Sequence, residues 1–167
     1  MKRIILIFLI AFICLISTAC DDKCVLPKPY VSGDPVLIQK LLTESVDTLS
    51  FGEAGRYFLE ANCWRDFMPT TDECDYRGLL SSIHFKNNDV SIVSSDFSFQ
   101  KQYVIYKDSV WIANVKIQGD NPEPGSFVTP DGPLWPVDSI VDVVLELKLQ
   151  NVQHYVIKRN VIIRAVY

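Results

Sequence analysis

The pattern of hydrophobic and polar positions divides the chain into one helical stretch and a longer part with the alternation of β-strands. Asp34-Pro35 predicts a helix start, because Asp is a preferred N-cap and Pro fits the first helical position. Gly52 is the expected end of the helix. Between them, apolar residues recur at helical spacing on one stripe, which we expect to pack on the core. The stripe consists of Leu37, Ile38, Leu41, Leu42, Val46 and Leu49.

From Leu79 onward, alternation with a period of two predicts three hairpins. Their arms are residues 79–86 and 90–94, 97–106 and 110–118, and 141–149 and 155–167. Arg159 interrupts the alternation of the last arm, which indicates a β-bulge. Residues 53–62 fit either a second short helix or the approach to a first strand, and the pattern leaves both open.

A proline- and glycine-rich segment, residues 119–136, separates the second hairpin from the third. It holds five prolines and three glycines, a density that predicts neither strand nor helix. Loops of this length are uncommon unless they are functional or disordered. Trp135 lies near its end and is the candidate binding-loop residue, since Trp is enriched at interface hot spots. The alternative, that Trp135 pins the loop to the domain, stays open.

The N-terminal residues 1–19 have the layout of a secretory signal peptide. Lys2 and Arg3 precede an uncharged run over residues 4–16, and Ser17-Thr18-Ala19 supplies small residues at the cleavage position. The run is shorter than the ~20 apolar residues of a spanning helix, so cleavage is expected. The chain is therefore predicted to leave the cytoplasm.

The residues around this junction, Leu15-Ile16-Ser17-Thr18-Ala19-Cys20, resemble the lipobox of bacterial lipoproteins, with Ser17 where the family usually has Leu. The resemblance implies lipidation of Cys20 and a membrane-anchored protein of the bacterial cell envelope, on a leaflet that the sequence leaves open. Residues 20–33 are then the tether, and residues 34–167 form a single globular domain. Plain secretion is the alternative, because Ser17-Thr18-Ala19 also suits the ordinary signal peptidase.

One helix followed by sequential hairpins predicts a mainly β fold, an antiparallel meander that is covered by the helix or curls into a barrel. The order of features resembles the small lipocalin-like barrels found among bacterial lipoproteins. The residues that carry this resemblance are Trp64, the segment 83–89, Tyr103-Val104-Ile105 and the run 143–167. The alternative is an α+β cone of the cystatin or nuclear-transport-factor type, which residues 34–62 would favour if they formed two helices.

The cysteines support a disulfide prediction. Cys14 leaves with the signal peptide, and the others face an oxidising compartment. The preferred bridge is Cys63–Cys74, which closes a polar loop between two candidate strands. Lipidation of Cys20 would leave Cys24 unpaired on the tether, whereas plain secretion allows two bridges.

Composition and motifs narrow the chemistry. The formal net charge of −4 makes nucleic acid a poor partner. No metal site or cofactor is expected, because no C-x-x-C spacing occurs and neither His84 nor His154 has a ligand neighbour in sequence. These two histidines are the candidate general bases, and the carboxylates of Asp72, Glu73 and Asp75 suit a solvated loop better than acid–base work. Enzyme activity is not expected.

The functional hypothesis is a non-catalytic binding or interaction module on a lipid anchor. Its partner would be a protein, a glycan or a small apolar ligand, contacted by the loop around Trp135. A structural or assembly component of an envelope complex is the first alternative. The second is a hydrolase that uses His84 or His154 in a pocket with a carboxylate.

Overall fold

The computed structural model describes residues 28–51, 55–70, 76–87, 97–115 and 125–167. The predicted signal peptide, Cys20, Cys24, most of the tether, and the predicted arm 90–94 lie outside the described residues. The elements in chain order are β1 (Val31–Ser32), α1 (Pro35–Glu44), β2 (Thr48–Ser50), β3 (Arg56–Asp66), β4 (Leu79–Asn87), β5 (Phe97–Tyr106), β6 (Ser109–Asn114), β7 (Ser126–Thr129), β8 (Ile140–Leu149) and β9 (Val152–Val166).

The described strands form one strongly curled sheet, a half-barrel, and the described residues include one short helix, which lies outside it. The predicted mainly β, barrel-like fold is therefore confirmed. Strand order is β1-β6-β5-β8-β9-β3-β4-β7, and β2 pairs with β3. This order is not a simple meander, because β5 pairs with β8 and the end of β9 runs parallel to β3, with Cys63 opposite Ile163. No helix in the described part of the chain has the length and hydrophobicity needed to span a membrane.

Helix α1 begins where the sequence predicts and ends earlier. The Asp34 carboxylate accepts a hydrogen bond from the Val36 N–H at 2.9 Å, and Pro35 is the first helical residue. The predicted end at Gly52 is wrong, because the helix ends at Glu44. The backbone N–H of Val46 instead donates to the Tyr155 carbonyl of β9, and Thr48–Ser50 pairs with β3. Pairing with the sheet thus replaces the last predicted helical turns.

Three further expectations need correction or completion. The ambiguous stretch 53–62 contributes, in its described part, to strand β3, so the two helices that the α+β cone requires are not formed. Strand β7 lies inside the segment 119–136, where Ser126–Thr129 is free of proline and pairs with β4. Val31–Ser32, at the end of the predicted tether, pairs with β6 and belongs to the sheet.

The sheet separates two hydrophobic cores. The interior of the half-barrel collects side chains from β2 to β9, whereas the other face of β5, β8 and β9 is covered by α1. Leu145 faces the interior and its neighbour Val144 faces the helix, with Leu41 of α1 fully buried above this second face. Burial on both faces explains why Val144 breaks the alternation of its strand.

Two β-bulges change which face successive side chains occupy. One interrupts β5 between Phe99 and Lys101. The other lies in β9 opposite Val141 and Val143, which confirms the bulge predicted at Arg159. Asn160 has a φ of 58° there, and its backbone N–H donates to the Asp142 carboxylate at 3.0 Å. A bulge inserts an unpaired residue, so the side chains on either side of it reverse their alternation.

Candidate functional site

One end of the half-barrel, which we call the closed end, is covered by the loop between β7 and β8. The backbone of Gly132 pairs with Leu79, with its N–H donating to the Leu79 carbonyl at 2.8 Å. The Tyr76 hydroxyl donates to the Gly132 carbonyl at 2.6 Å. A Cβ at position 132 would lie 2.7 Å from two ring carbons of the buried Trp111, so only glycine lets the loop approach this closely.

Trp135 belongs to this closed end. Its ring packs on Tyr106 with a centroid distance of 5.3 Å, and its carbonyl accepts a hydrogen bond from the Arg65 guanidinium at 3.3 Å. These contacts favour the alternative in which Trp135 pins the loop. The neighbouring Leu134 is an exposed apolar side chain in the described part of the loop. The assignment of Trp135 as a binding residue stays a prediction.

The opposite end of the interior, the aromatic end, is built from rings. Their centroid distances lie between 4.9 and 6.3 Å, the range of favourable ring–ring packing. The rings belong to Phe51, Tyr57, Phe85, Phe97, Phe99 and Phe127. Phe51 and Phe99 are only partly buried, so they present aromatic surface at this end.

Between the two ends, a row of polar side chains crosses the interior. The register pairs Ser81 of β4 with Cys63 of β3 on one side and with Thr129 of β7 on the other. The Cys63 thiol contacts the Ser81 hydroxyl at 3.6 Å, and the Thr129 hydroxyl donates to the side-chain carbonyl of Gln102 at 3.2 Å. We call these four residues the polar strip.

Gln102 is the member of the polar strip that sequence reasoning missed. Its side chain is fully buried, and its amide nitrogen Nε2 has no hydrogen-bond partner among the described residues. The register places Ala113 of β6 and Leu145 of β8 beside it. An unpaired buried amide is unusual, because most buried polar groups in proteins are hydrogen-bonded. The sequence does not indicate this position, because the alternation set by Phe97 and Phe99 would place Gln102 on the outer face. The bulge before Lys101 reverses that alternation.

Cys63 is a free thiol in the structure and is buried in the interior. Burial raises the pKa of this thiol to about 11, and the Ser81 hydroxyl partly opposes the shift. The predicted partner Cys74 lies outside the described residues, as do Asp72, Glu73 and Asp75. The Cys63–Cys74 bridge is not formed at Cys63 in this structure and stays a prediction for a chemical test.

A second polar cluster, the helix-face cluster, lies between the sheet and α1. One oxygen of the Glu146 carboxylate accepts from the Tyr103 hydroxyl at 2.5 Å and the other accepts from the Gln153 amide at 2.8 Å. Gln153 also contacts the Tyr155 hydroxyl, and Lys40 of α1 lies 5.4 Å from the centre of the Tyr155 ring. Burial and then the hydrogen bond to Glu146 raise the pKa of Tyr103.

The two histidines do not share a site. His84 lies on the outer face of β4, where its Nδ1 is 2.8 Å from the Ser126 hydroxyl, and Glu60 is its cross-strand neighbour. This row has the residue types of a catalytic triad, but the Glu60 carboxylate pairs with Lys86 at 2.6 Å. His154 packs against the Phe51 ring at the aromatic end. The hydrolase alternative, which needs His84 or His154 in a pocket with a carboxylate, stays a prediction.

Neither a metal site nor a similar known protein indicates the function of the half-barrel. Across the described ranges, no group of three or more His, Cys, Asp or Glu side chains is placed to hold a metal ion. In comparisons with known proteins, no family model, no curated protein and no solved structure matches the chain. The function must therefore be argued from the residues of the half-barrel.

Proposed function

We propose that this protein is a lipid-anchored module of the bacterial envelope, held on a membrane through Cys20, that binds a small apolar ligand in the interior of its half-barrel. The observation that carries the binding proposal is the aromatic end. Ligand sites are concave and mostly apolar, with aromatic side chains over-represented in their lining.

The arrangement of the rings supports entry at the aromatic end rather than the closed end. Phe99 lies on the interior face of β5 and packs edge-on against Phe85 and Phe127, yet part of its surface is open. At the closed end, the Gly132 backbone is hydrogen-bonded to Leu79 of β4 and packs closely against the Trp111 ring. A ligand that enters over Phe99 would exchange water for aromatic and aliphatic surface, which is the main source of affinity for an apolar molecule.

The binding proposal is tested by titrating the purified protein with 2-isopropylnaphthalene and following tryptophan fluorescence. Wild type should bind the probe, and Phe99→Ala should weaken binding about tenfold, because a large apolar contact at the entrance is lost. Phe67→Ala is the matched control, since Phe67 packs against Tyr167 outside the interior. Equal losses in both variants, or no binding to wild type, would sink the proposal.

The anchor proposal is tested separately in a bacterial host that processes lipoproteins. Wild type is expected to incorporate labelled palmitate and to be recovered in the membrane fraction. Cys20→Ala should lose both, because it removes the residue that carries the acyl chains of the anchor. Cys24→Ala is the matched control. Palmitate incorporation that persists in Cys20→Ala would contradict the anchor assignment.

A further inference from the structure

The β-bulge in β5 places a glutamine in an interior that is otherwise mainly apolar. Along β5, Phe97 and Phe99 face the interior, and after the bulge Gln102 and Val104 face it. Without the extra residue, the same alternation would turn Lys101 inward and Gln102 outward. The backbone irregularity thus gives Gln102 its buried position.

The hydrogen-bonding capacity of Gln102 is only half used. Its side-chain carbonyl accepts from Thr129 at 3.2 Å, whereas Nε2, which carries two N–H donors, has no partner in the described structure. Its lateral neighbours Ala113 and Leu145 are apolar and offer no side-chain acceptor. In the amide orientation of the structure, in which the Thr129 hydroxyl donates to the carbonyl, the free capacity at this point is that of a donor.

We infer that the Gln102 amide is the polar anchor of a ligand site in the half-barrel, where it donates a hydrogen bond to a neutral carbonyl oxygen of an apolar ligand. This inference rests on the proposed function and specifies the chemistry of its ligand. A ligand with an acceptor oxygen completes the bonding of Gln102, and hydrogen-bond donors are what fix orientation in an otherwise apolar site.

The charge of the polar strip favours a neutral carbonyl over a carboxylate. All four side chains of the polar strip are uncharged at neutral pH. The Cys63 thiol is protonated there, because burial raises its pKa to about 11. Burying a carboxylate without a cationic partner is costly. The nearby Arg65 guanidinium is engaged with the carbonyls of Arg77 and Trp135 at the closed end.

The spacing along β5 gives the expected size of the ligand. Phe99 and Gln102 are three residues apart on one strand with the β-bulge between them, so the two positions are at most about 10 Å apart. A ligand that covers Phe99 with its apolar part and reaches Gln102 with its carbonyl therefore has the length of a two-ring aromatic ketone or a medium acyl ester.

The test compares two probes of nearly the same shape, 2-acetylnaphthalene, which carries a carbonyl, and 2-isopropylnaphthalene, which does not. Wild type should bind the ketone about tenfold more tightly, the expected gain when one buried donor acquires an acceptor. In Gln102→Met, which keeps the length of the side chain and removes its hydrogen bonds, both probes should bind with the affinity of the hydrocarbon.

Two further variants control this comparison. Gln39→Met makes the same exchange on the exposed face of α1 and should behave as wild type. Thr129→Val removes the partner of the Gln102 carbonyl but keeps the amide donor, so it should retain the preference for the ketone even if Gln102→Met proves unstable.

The outcomes separate the inference from the proposed function. If wild type binds both probes equally, or if Gln102→Met keeps the preference for the ketone, the inference is overturned and apolar binding still stands. If wild type does not bind 2-isopropylnaphthalene, the proposed function fails and takes the inference with it.

Discussion

Two buried polar side chains, Gln102 and Glu146, lie on neighbouring strands and face opposite sides of the same sheet. Glu146 faces α1, where both of its carboxylate oxygens accept hydrogen bonds, from Tyr103 and Gln153. Gln102 faces the interior, where one of its two polar atoms is unpaired. In the helix-face cluster the buried carboxylate is fully hydrogen-bonded, whereas in the polar strip the buried amide is only partly so, although both are built from residues of the same curled sheet.

The comparison indicates how to separate a structural polar group from a binding group. A buried polar network whose members are all paired stabilises the arrangement of the elements that it joins, here β5, β8 and β9 beneath α1. A buried amide with a free donor instead lowers stability in the absence of an acceptor, and it gains most from a ligand that brings one. Substitutions in the two regions should therefore have opposite effects on stability.

The largest expected effect concerns the Cys63 thiol of the polar strip. A pKa raised from 9.0 to about 11 lowers the thiolate fraction at pH 8 about 100-fold, and burial adds to the protection. Cys63 should resist iodoacetamide in the folded protein and react in urea, as measured by the mass of its tryptic peptide. Labelling in urea only after reduction would instead show that Cys63 is disulfide-bonded, as the predicted bridge to Cys74 requires.

The same shift sets a pH dependence. The unfolded chain releases the Cys63 proton near pH 9 and the folded protein near pH 11, so the folded state binds more protons between these values. The stability that this thiol contributes is complete below pH 9 and is lost as the pH rises to about 11. Urea unfolding of wild type and Cys63→Ala across this range measures it, and parallel curves would contradict the assignment.

The second effect concerns the helix-face cluster. Tyr103→Phe removes the hydroxyl that donates to Glu146 and leaves a buried carboxylate oxygen without this partner. We expect a loss of about 2 kcal/mol in the free energy of unfolding, measured by urea denaturation. Tyr30→Phe, at an exposed tyrosine, is the matched control and should change little. Equal, small losses in both variants would show that the hydrogen bond between Tyr103 and Glu146 does not stabilise the fold.

The smallest effect should have the opposite sign. The double variant Gln102→Met/Thr129→Val replaces a partly paired polar group and its partner by apolar side chains of similar shape. Such a replacement is close to neutral or stabilising, so we expect unchanged stability or a gain of up to about 1 kcal/mol without ligand. A loss as large as that of Tyr103→Phe would place Gln102 among the structural groups.

The elements that the sequence predicts well are those whose signal is local. The N-cap of α1 at Asp34 and the strand Phe97–Tyr106 follow from capping chemistry and alternation over neighbouring residues. The pattern predicts the turn of the last hairpin at Asn151-Val152-Gln153, and the structure forms it one residue earlier, at Gln150-Asn151, where both residues have positive φ. Such shifts are small because the alternation of the flanking strands limits the register.

The parts that escaped prediction depend on partners distant in sequence. Thr48–Ser50 and Ser126–Thr129 are strands because β3 and β4 offer edges to pair with, and the parallel contact of β9 with β3 has no local signal. Gln102 escaped for the same reason. Its inward orientation follows from the bulge in the pairing of β5 with β8, which only the assembled sheet reveals.

The most direct test of the central claim is the side-chain amide signal of Gln102 in a proton–nitrogen correlation spectrum, assigned by its absence in Gln102→Met. Addition of 2-acetylnaphthalene should shift the Gln102 amide protons downfield, because they gain an acceptor, whereas 2-isopropylnaphthalene should leave them near their original position. Identical shifts with both probes, or no shift at saturation with the ketone, would contradict the assignment of Gln102 as the binding group.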